Sequence, residues 1–344
     1  MLTVLAAASF LASILLTNLI KRRFSNHLLD IPNDRSSHTQ PTPRGGGLGF
    51  ILAFAITGLI ASLFASYFPQ LLSHPLINPN PTFLWLILTP LAIIGIIDDR
   101  QGLPARIRYL VHLSVASLAI ARFGSFPLPW LTDFGLIGQI IAIALTLIGI
   151  TALINFYNFM DGLDGLVASV TALQMAFLAL YLNQPLFWLL VAALLGFLWW
   201  NWSPAKIFMG DAGSTVLGAS VAIALLNSHN PVQAWSALAV TLPLTADAIY
   251  TLIRRLIRQE NIFKGHRSHI YQRLQQSGWT HRQVALTYLI ATSIIVLLIT
   301  TLGTLGNWFS LVGVLIGLAI AEMYLLLEKR GEGVNGKRKS SKRI

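Results

Sequence analysis

Four polar side chains interrupt an apolar stretch at intervals of three: Asn155, Asn158, Asp161 and Asp164, in NFYNFMDGLDGL (155–166). No lysine or arginine accompanies them between Asn155 and Leu163. Carboxylates without a local base invite a divalent cation or a hydrogen-bonding ligand. On an α-helix of about 3.6 residues per turn, steps of three drift around the axis. The four share a face only where the chain unwinds or tightens into a 3₁₀ turn. Gly162 and Gly165 permit that. The segment is expected to be a frayed helix end with its polar groups turned inward.

Four other stretches carry chemistry of a matching kind. Asp98 and Asp99 close the apolar run IIGIIDDR. Adjacent carboxylates repel and raise at least one pKa unless a cation intervenes, so they are read as a metal site, a base beside one, or a pair neutralised by Arg100 or Arg106. In KIFMGDAGSTVLG (206–218), Gly210, Asp211, Gly213 and Ser214 open an apolar segment. Backbone N–H groups at such a helix start suit an anion, while Asp211 suits a cation or caps the helix. The Lys–Ser/Thr pair of a Walker loop is missing. The basic loop 254–274 holds His266 and His269 beside Lys264, Arg267 and Arg273. A zinc site there lacks an obvious third ligand, and a cationic cradle for phosphate with histidine donors fits better. Ser36 to Phe50, SSHTQPTPRGGGLGF, stiffens at Pro41 and Pro43 and then frees its backbone at Gly45, Gly46 and Gly47. Arg44 or His38 could reach a phosphate there. Asp247, inside an apolar segment, is expected to snorkel toward Arg254 and Arg255.

The elements that position these residues are membrane helices. The 344 residues are 55% hydrophobic and 11% charged, with mean hydropathy +0.67; soluble domains carry about 25% charged residues. An all-α polytopic membrane protein is expected, with eleven spans near 2–20, 46–67, 83–97, 108–123, 136–154, 165–182, 186–201, 213–228, 233–252, 284–303 and 308–327. The first span is followed, not preceded, by Lys21, Arg22 and Arg23, which reads as an uncleaved span with its N-terminus outside. Threaded so, one side receives 23 of the 24 Lys and Arg residues and the other only Arg122. The positive-inside rule makes the first side, and the C-terminus, cytoplasmic. Every polar constellation above falls on or near that side. Residues 1–328 are expected to form one transmembrane catalytic domain, and 329–344 a disordered basic tail drawn to anionic lipid. Cysteine is absent, which removes thiolate catalysis, disulfides and Cys-ligated zinc. Nucleic-acid binding is unsupported, because no soluble fold accompanies the net charge of +11. An ion-coupled transporter would place ionisable groups near mid-membrane, and a membrane prenyltransferase would space its aspartates by four.

The set PTPRGGG (41–47), DD (98–99), NFYNFMDGLDGL (155–166), GDAGS (210–214) and HRSHIYQRL (266–274), in this order, resembles the bacterial polyprenyl-phosphate N-acetylhexosamine-1-phosphate transferases of the glycosyltransferase family 4 type. The likeness spans nearly the whole membrane domain. It implies an inner-membrane enzyme with a cytoplasmic site. Its reaction would move a sugar-1-phosphate from a UDP-N-acetylhexosamine to undecaprenyl phosphate with Mg²⁺ (Mn²⁺ as substitute), releasing UMP. This would be the first membrane step of O-antigen or another envelope polysaccharide. By that resemblance Asp98, Asp99, Asp161, Asp164, His266 and His269 form the catalytic set. Arg44, Asn155, Asn158, Lys206, Lys264 and Arg267 bind substrate, and Asp211, Asp98 and Asp99 hold metal. Transfer of phospho-MurNAc-pentapeptide is the alternative, set back by HRSH standing where that enzyme has a denser histidine cluster. The oligomeric state is left open, a homodimer among the options.

Overall fold

The structure, a computed structural model, describes residues 1–25, 28–32, 37–67, 81–228, 230–262 and 264–341. Ser36 and the last three residues of the expected tail lie outside them. The chain forms helices α1 (Leu2–Phe24), α2 (Gly47–Tyr67), α3 (Pro81–Gln101), α4 (Ala105–Phe123), α5 (Gly135–Met160), α6 (Leu166–Tyr181) and α7 (Phe187–Asn201). After these come α8 (Asp211–Leu226), α9 (Pro231–Ala239), α10 (Leu242–Ile257), α11 (Ile270–Gln276), α12 (His281–Leu302) and α13 (Thr304–Ser341). Strands β1 (Leu29–Asp30) and β2 (Thr42–Pro43) pair antiparallel, Leu29 opposite Pro43.

Helix is the form such a sequence takes in hydrocarbon, because every backbone N–H and C=O must be bonded within its own segment. Among the described residues, five helical stretches are long and apolar enough to cross a membrane: α1, α2, α5 with the 3₁₀ turn before it, α12, and α13 as far as Glu328. The pair α9–α10, bent by 73°, makes a sixth if counted as one span. Helices α6, α7 and α8 are apolar but only 16, 15 and 16 residues long. The protein is thus a multi-pass membrane protein built on helices. The ninth expected span is not one helix but two, with Pro243 near the start of the second.

Helix α8 is the hub. Every residue from Ala212 to Leu226 is buried, with α2, α3, α5 and α6 packed around it. Gly, Ala, Ser and Thr dominate its sequence, which lets neighbouring backbones come close. A Cβ on Gly47, at the start of α2, would stand 2.5 Å from the Cα of Gly213. Helix α13 is the opposite case, with Leu315, Ile316, Ile320 and Leu327 exposed as befits a lipid-facing surface.

One expectation is corrected. Asp247 does not snorkel. It is fully buried and accepts hydrogen bonds from the N–H groups of Ile270 and Tyr271 at 2.9 and 3.1 Å and from the Tyr288 hydroxyl at 2.6 Å. The start of α11 folds back onto α10, so the carboxylate caps that helix instead of seeking arginine. The basic tail is helical as far as Ser341. Extending an existing helix costs little, and Lys and Arg are good helix formers.

Candidate active site

Gly210 turns the chain into α8 with φ +77°, a left-handed conformation that glycine tolerates. A Cβ there would fall 2.4 Å from Asp99 Oδ2. The turn aims the Asp211 N–H at the Asp99 carboxylate, which accepts it at 3.1 Å (Oδ2) and 3.3 Å (Oδ1). Asp99, at the end of α3, therefore serves α8 as its N-terminal cap, where a negative charge also meets the positive end of the helix dipole. The segment before Gly210 is held by β-type bonds: Phe208 N–H donates to Pro43 O, and Gly46 and Gly47 N–H donate to the carbonyls of Phe208 and Met209.

Asp98 points elsewhere, since one helical step turns a side chain by about 100°. It accepts from Arg108 Nη1 at 2.6 Å and from Leu103 N–H at 2.5 Å. Arg108 also stands 3.5 Å from Asp211 Oδ2. The acidic pair thus faces two cavities. The first, about 210 Å³, is lined by Asp98, Arg108, His112, Asn155, Asn158, Lys264, His266, His269 and Asp211. The second, about 320 Å³, is lined by Asp30, His38, Arg44, Asp99, Asp161, Asp164, Asn201, Phe208 and Asp211. Among the described residues Asp211 alone lines both.

The four regularly spaced polar residues divide between these cavities. Helix α5 stays α-helical to Met160, so Asn155 and Asn158 sit on it and face the first cavity. Asp161 and Asp164 lie past its end and face the second. Asn158 donates to Ser214 Oγ at 3.0 Å. Asp164 is pinned, accepting from Ala205 N–H at 3.1 Å and pairing with His281 Nδ1 at 3.2 Å. Burial raises its pKa, but the hydrogen bond and charge of His281 and the Ala205 N–H outweigh that and leave it below the usual carboxylate range.

Support of that strength is missing at Asp161, Asp211 and Asp99. Burial pushes Asp161 well above the usual range, and Asp211 and Asp99 add to it. Asp211 is pushed up to about 7 by burial and then by Asp99 and Asp98. Asp99 is pushed up to about 6, again by burial first, against the pull of the Asp211 N–H and Arg44. Burial also works against Asp98, yet its bonds to Asp211, Leu103 and Arg108 keep it low. Within this pair the ionised form is favoured at Asp98 and the proton is favoured at Asp211.

That shared proton is the test for a cation. Among the described residues no three His, Asp or Glu side chains converge as a ready-made cage. Mg²⁺ does not need one, since it is commonly held by one or two carboxylates plus substrate phosphates. The donors at Asp211 are hard oxygens bearing more negative charge than the site can ionise, so the residues fit a hard divalent cation.

The histidine loop closes the first cavity. His266 and His269 stack with centroids 5.0 Å apart. Burial, with His269 and Arg255 nearby, pushes His266 down to about 4, so it is neutral at pH 7. Arg254 donates to Ser268 O at 3.2 Å, and Arg254 and Arg273 both bond Glu322 on α13.

Two expected ligands are elsewhere. Lys206 lies over Trp200, 5.5 Å from the ring centroid, with Lys21 at 4.0 Å from the same ring. Arg267 donates to Gln275 Oε1 at 3.2 Å. Neither lines either of these two cavities. The sequence reading also missed contributors. Arg108, not Arg100 or Arg106, neutralises Asp98. Asp30 pairs with Arg44 at 2.9 Å. His281 starts α12 yet reaches Asp164. The available signal was the i, i+4 spacing of Arg108 and His112 on one face of α4.

Comparison with known proteins gives the following. The sequence profile of glycosyl transferase family 4 matches residues 81–229. The chain is 29% identical over 341 residues to a probable undecaprenyl-phosphate N-acetylglucosaminyl 1-phosphate transferase of Bacillus subtilis (94% of this chain, 90% of that protein). It is 30% identical over 336 residues to the decaprenyl-phosphate N-acetylglucosaminephosphotransferase of Mycolicibacterium smegmatis (87% and 82%). It is 31% identical over 278 residues to the phospho-N-acetylmuramoyl-pentapeptide-transferase of Deinococcus radiodurans (74% and 82%).

Proposed function

The chain belongs to glycosyl transferase family 4, and from that premise we propose that it transfers an N-acetylhexosamine-1-phosphate from a UDP-sugar to undecaprenyl phosphate, releasing UMP. The observation that carries this reading is Asp211, shared by two polar cavities of different character. A transfer between two phosphates needs two anion sites that meet at one point.

The second cavity suits the nucleotide sugar. Phe208 and His38, rings 4.8 Å apart, offer an apolar wall for a base, Asn201 and Asp164 offer polar edges, and Arg44 meets a phosphate. The first cavity suits the lipid phosphate. It shares Ile94 with an apolar groove between α3 and α4 lined by Phe83, Trp85, Ile93 and Val111, where a prenyl chain stays in hydrocarbon while its phosphate meets Arg108 and Lys264. An oxygen of the lipid phosphate attacks the sugar-bearing phosphorus, the bond to UMP breaks, and UMP carries away the negative charge. No base is required at neutral pH, because a phosphate monoester has a second pKa near about 6. Mg²⁺, or Mn²⁺ in its place, would be held by Asp211 with Asp98 or Asp99 and would supply neutralisation of the facing phosphates. The protein's own part is alignment and charge: bases on the lipid side, and the histidine loop covering the junction. The basic-loop asymmetry supports eleven spans with the site facing the cytoplasm, in the cytoplasmic membrane of a bacterium, at the start of an envelope polysaccharide.

Similarity to the Deinococcus radiodurans protein favours a second donor, UDP-MurNAc-pentapeptide. The deciding experiment uses purified protein in detergent with undecaprenyl phosphate, Mg²⁺ and a panel of UDP-N-acetylhexosamines including that donor, reading UMP. Release that needs lipid phosphate and Mg²⁺ is expected, with one donor preferred. UMP release indifferent to lipid phosphate would sink the reading.

A further inference from the structure

His112 and Asn155 face each other across α4 and α5. The Asn155 amide nitrogen donates to Thr151 O at 2.7 Å, which settles which end of the amide carries hydrogen. The same nitrogen lies 3.2 Å from His112 Nδ1. An amide nitrogen donates and does not accept, so Nδ1 must be the bare nitrogen of a neutral ring, and the ring proton is on Nε2. His112 is 3% exposed and lines the first cavity with Asp98, Arg108 and Asp211. Nε2 has no hydrogen-bond partner among the described residues, and the ring is part of the wall of the first cavity. Val111, the residue before it, lines the apolar groove that runs into the same cavity. A neutral N–H donor therefore waits at the bilayer side, one helical turn deeper than Arg108.

We propose that His112 is a substrate-binding residue that donates Nε2–H to a phosphate oxygen of the lipid acceptor, and that Asn155 is a positioning residue that locks its tautomer. This rests on the transferase reading above and on the lipid phosphate occupying the first cavity. It turns Asn155 from a direct ligand into the support of one. The choice of a neutral donor is physical. A second full charge beside Arg108 in so buried a place would cost desolvation, whereas a neutral N–H adds a hydrogen bond without it.

The test uses the full chain in detergent with three single variants and one double variant. His112→Gln keeps a neutral N–H donor and is expected to hold the KM for undecaprenyl phosphate within about threefold. His112→Leu is expected to raise that KM about tenfold, the scale of one buried neutral hydrogen bond, with the KM for the UDP-sugar unchanged. Asn155→Leu removes the donor that keeps Nδ1 bare, so the ring proton is no longer fixed on Nε2. That variant is expected to raise the lipid KM in the same direction as His112→Leu but by less, and to have no further effect when combined with His112→Gln. A merely structural role would not produce this dependence of one substitution on the other. Thermal melting confirms that each variant is folded. The inference is overturned if His112→Leu leaves the lipid KM unchanged, if Gln is as damaging as Leu, if the change falls on the UDP-sugar instead, or if Asn155→Leu acts equally in both backgrounds. Binding of undecaprenyl phosphate alone, measured on the same variants without nucleotide, separates the two readings. A loss of lipid binding in His112→Leu stands even where UMP release fails.

Discussion

The cavity beside Asp98 is bordered by bases, with Arg108 2.6 Å from the carboxylate and Lys264 on the wall, whereas the cavity beside Asp99 gathers Asp161 and Asp164 opposite Arg44. The two aspartates are neighbours in sequence, yet Asp98 stays below the usual carboxylate range while Asp99 is pushed up to about 6. Burial raises both. Bonds to Asp211, the Leu103 N–H and Arg108 bring Asp98 back down, whereas at Asp99 the Asp211 N–H and Arg44 only partly offset burial, and Asp98 works against them. One helical step is enough to assign two adjacent acids to two different tasks.

Asp211 joins the two sides, so its loss should do the most damage. Asp211→Asn is expected to lower kcat for UMP release by about 10³-fold, the scale of losing one preorganised electrostatic group, whichever substrate is saturating. A loss confined to one KM would mean that the cavities do not share it. The next effect divides them. Arg108→Gln should raise the KM for lipid phosphate by about 10-fold to 100-fold, and Arg44→Gln the KM for the UDP-sugar, as charged hydrogen bonds of about 1.5–3 kcal/mol are removed. Crossed results would reverse the assignment of substrates.

A smaller effect tests the support behind the second cavity. His281→Ala removes the partner of Asp164, 3.2 Å away, and should cost about 1–3 kcal/mol of stability, read by melting, with the loop from Asp161 to Gly165 loosened. Unchanged melting would make that pair dispensable. The mildest prediction concerns pH. Asp99, Asp211 and Asp161 have folded pKa values above the unfolded value of about 3.9. The folded state therefore binds more protons than the unfolded one above that value. Their contribution to stability is fully present below about pH 4 and is lost as pH rises through about 6 and about 7. In EDTA, melting temperature should fall by a few degrees between pH 5.5 and 8, and excess Mg²⁺ should flatten the slope. A metal-free melting point that climbs over this window would contradict the strained carboxylate cluster.

Much of the candidate site was legible in the sequence because its chemistry is local in type. An aspartate at the end of an apolar run is conspicuous whatever the fold, and Asp98, Asp99, Asp161, Asp164, Asp211, His266 and His269 all line one cavity or the other. Lys206 and Arg267 line neither cavity, and basic residues in short loops face either way with equal ease. Arg108 and His112 were hidden inside what reads as an ordinary span. Asp247 was visible but misassigned, because its partners are backbone N–H groups supplied by a distant loop.

From composition, hydropathy and charge alone came the membrane class, the helical character and the gathering of polar residues at the ends of spans, since those follow from the cost of placing backbone and charge in hydrocarbon. Tertiary structure decided the rest. Where α5 stops sends Asn155 and Asn158 to one cavity and Asp161 and Asp164 to the other. The close approach of Gly47 to Gly213 seats α8 so that Asp211 stands between them. Those choices depend on where a helix ends and which backbone packs against it. Side-chain types and spacings do not encode this, because the deciding contacts come from residues far apart in the chain.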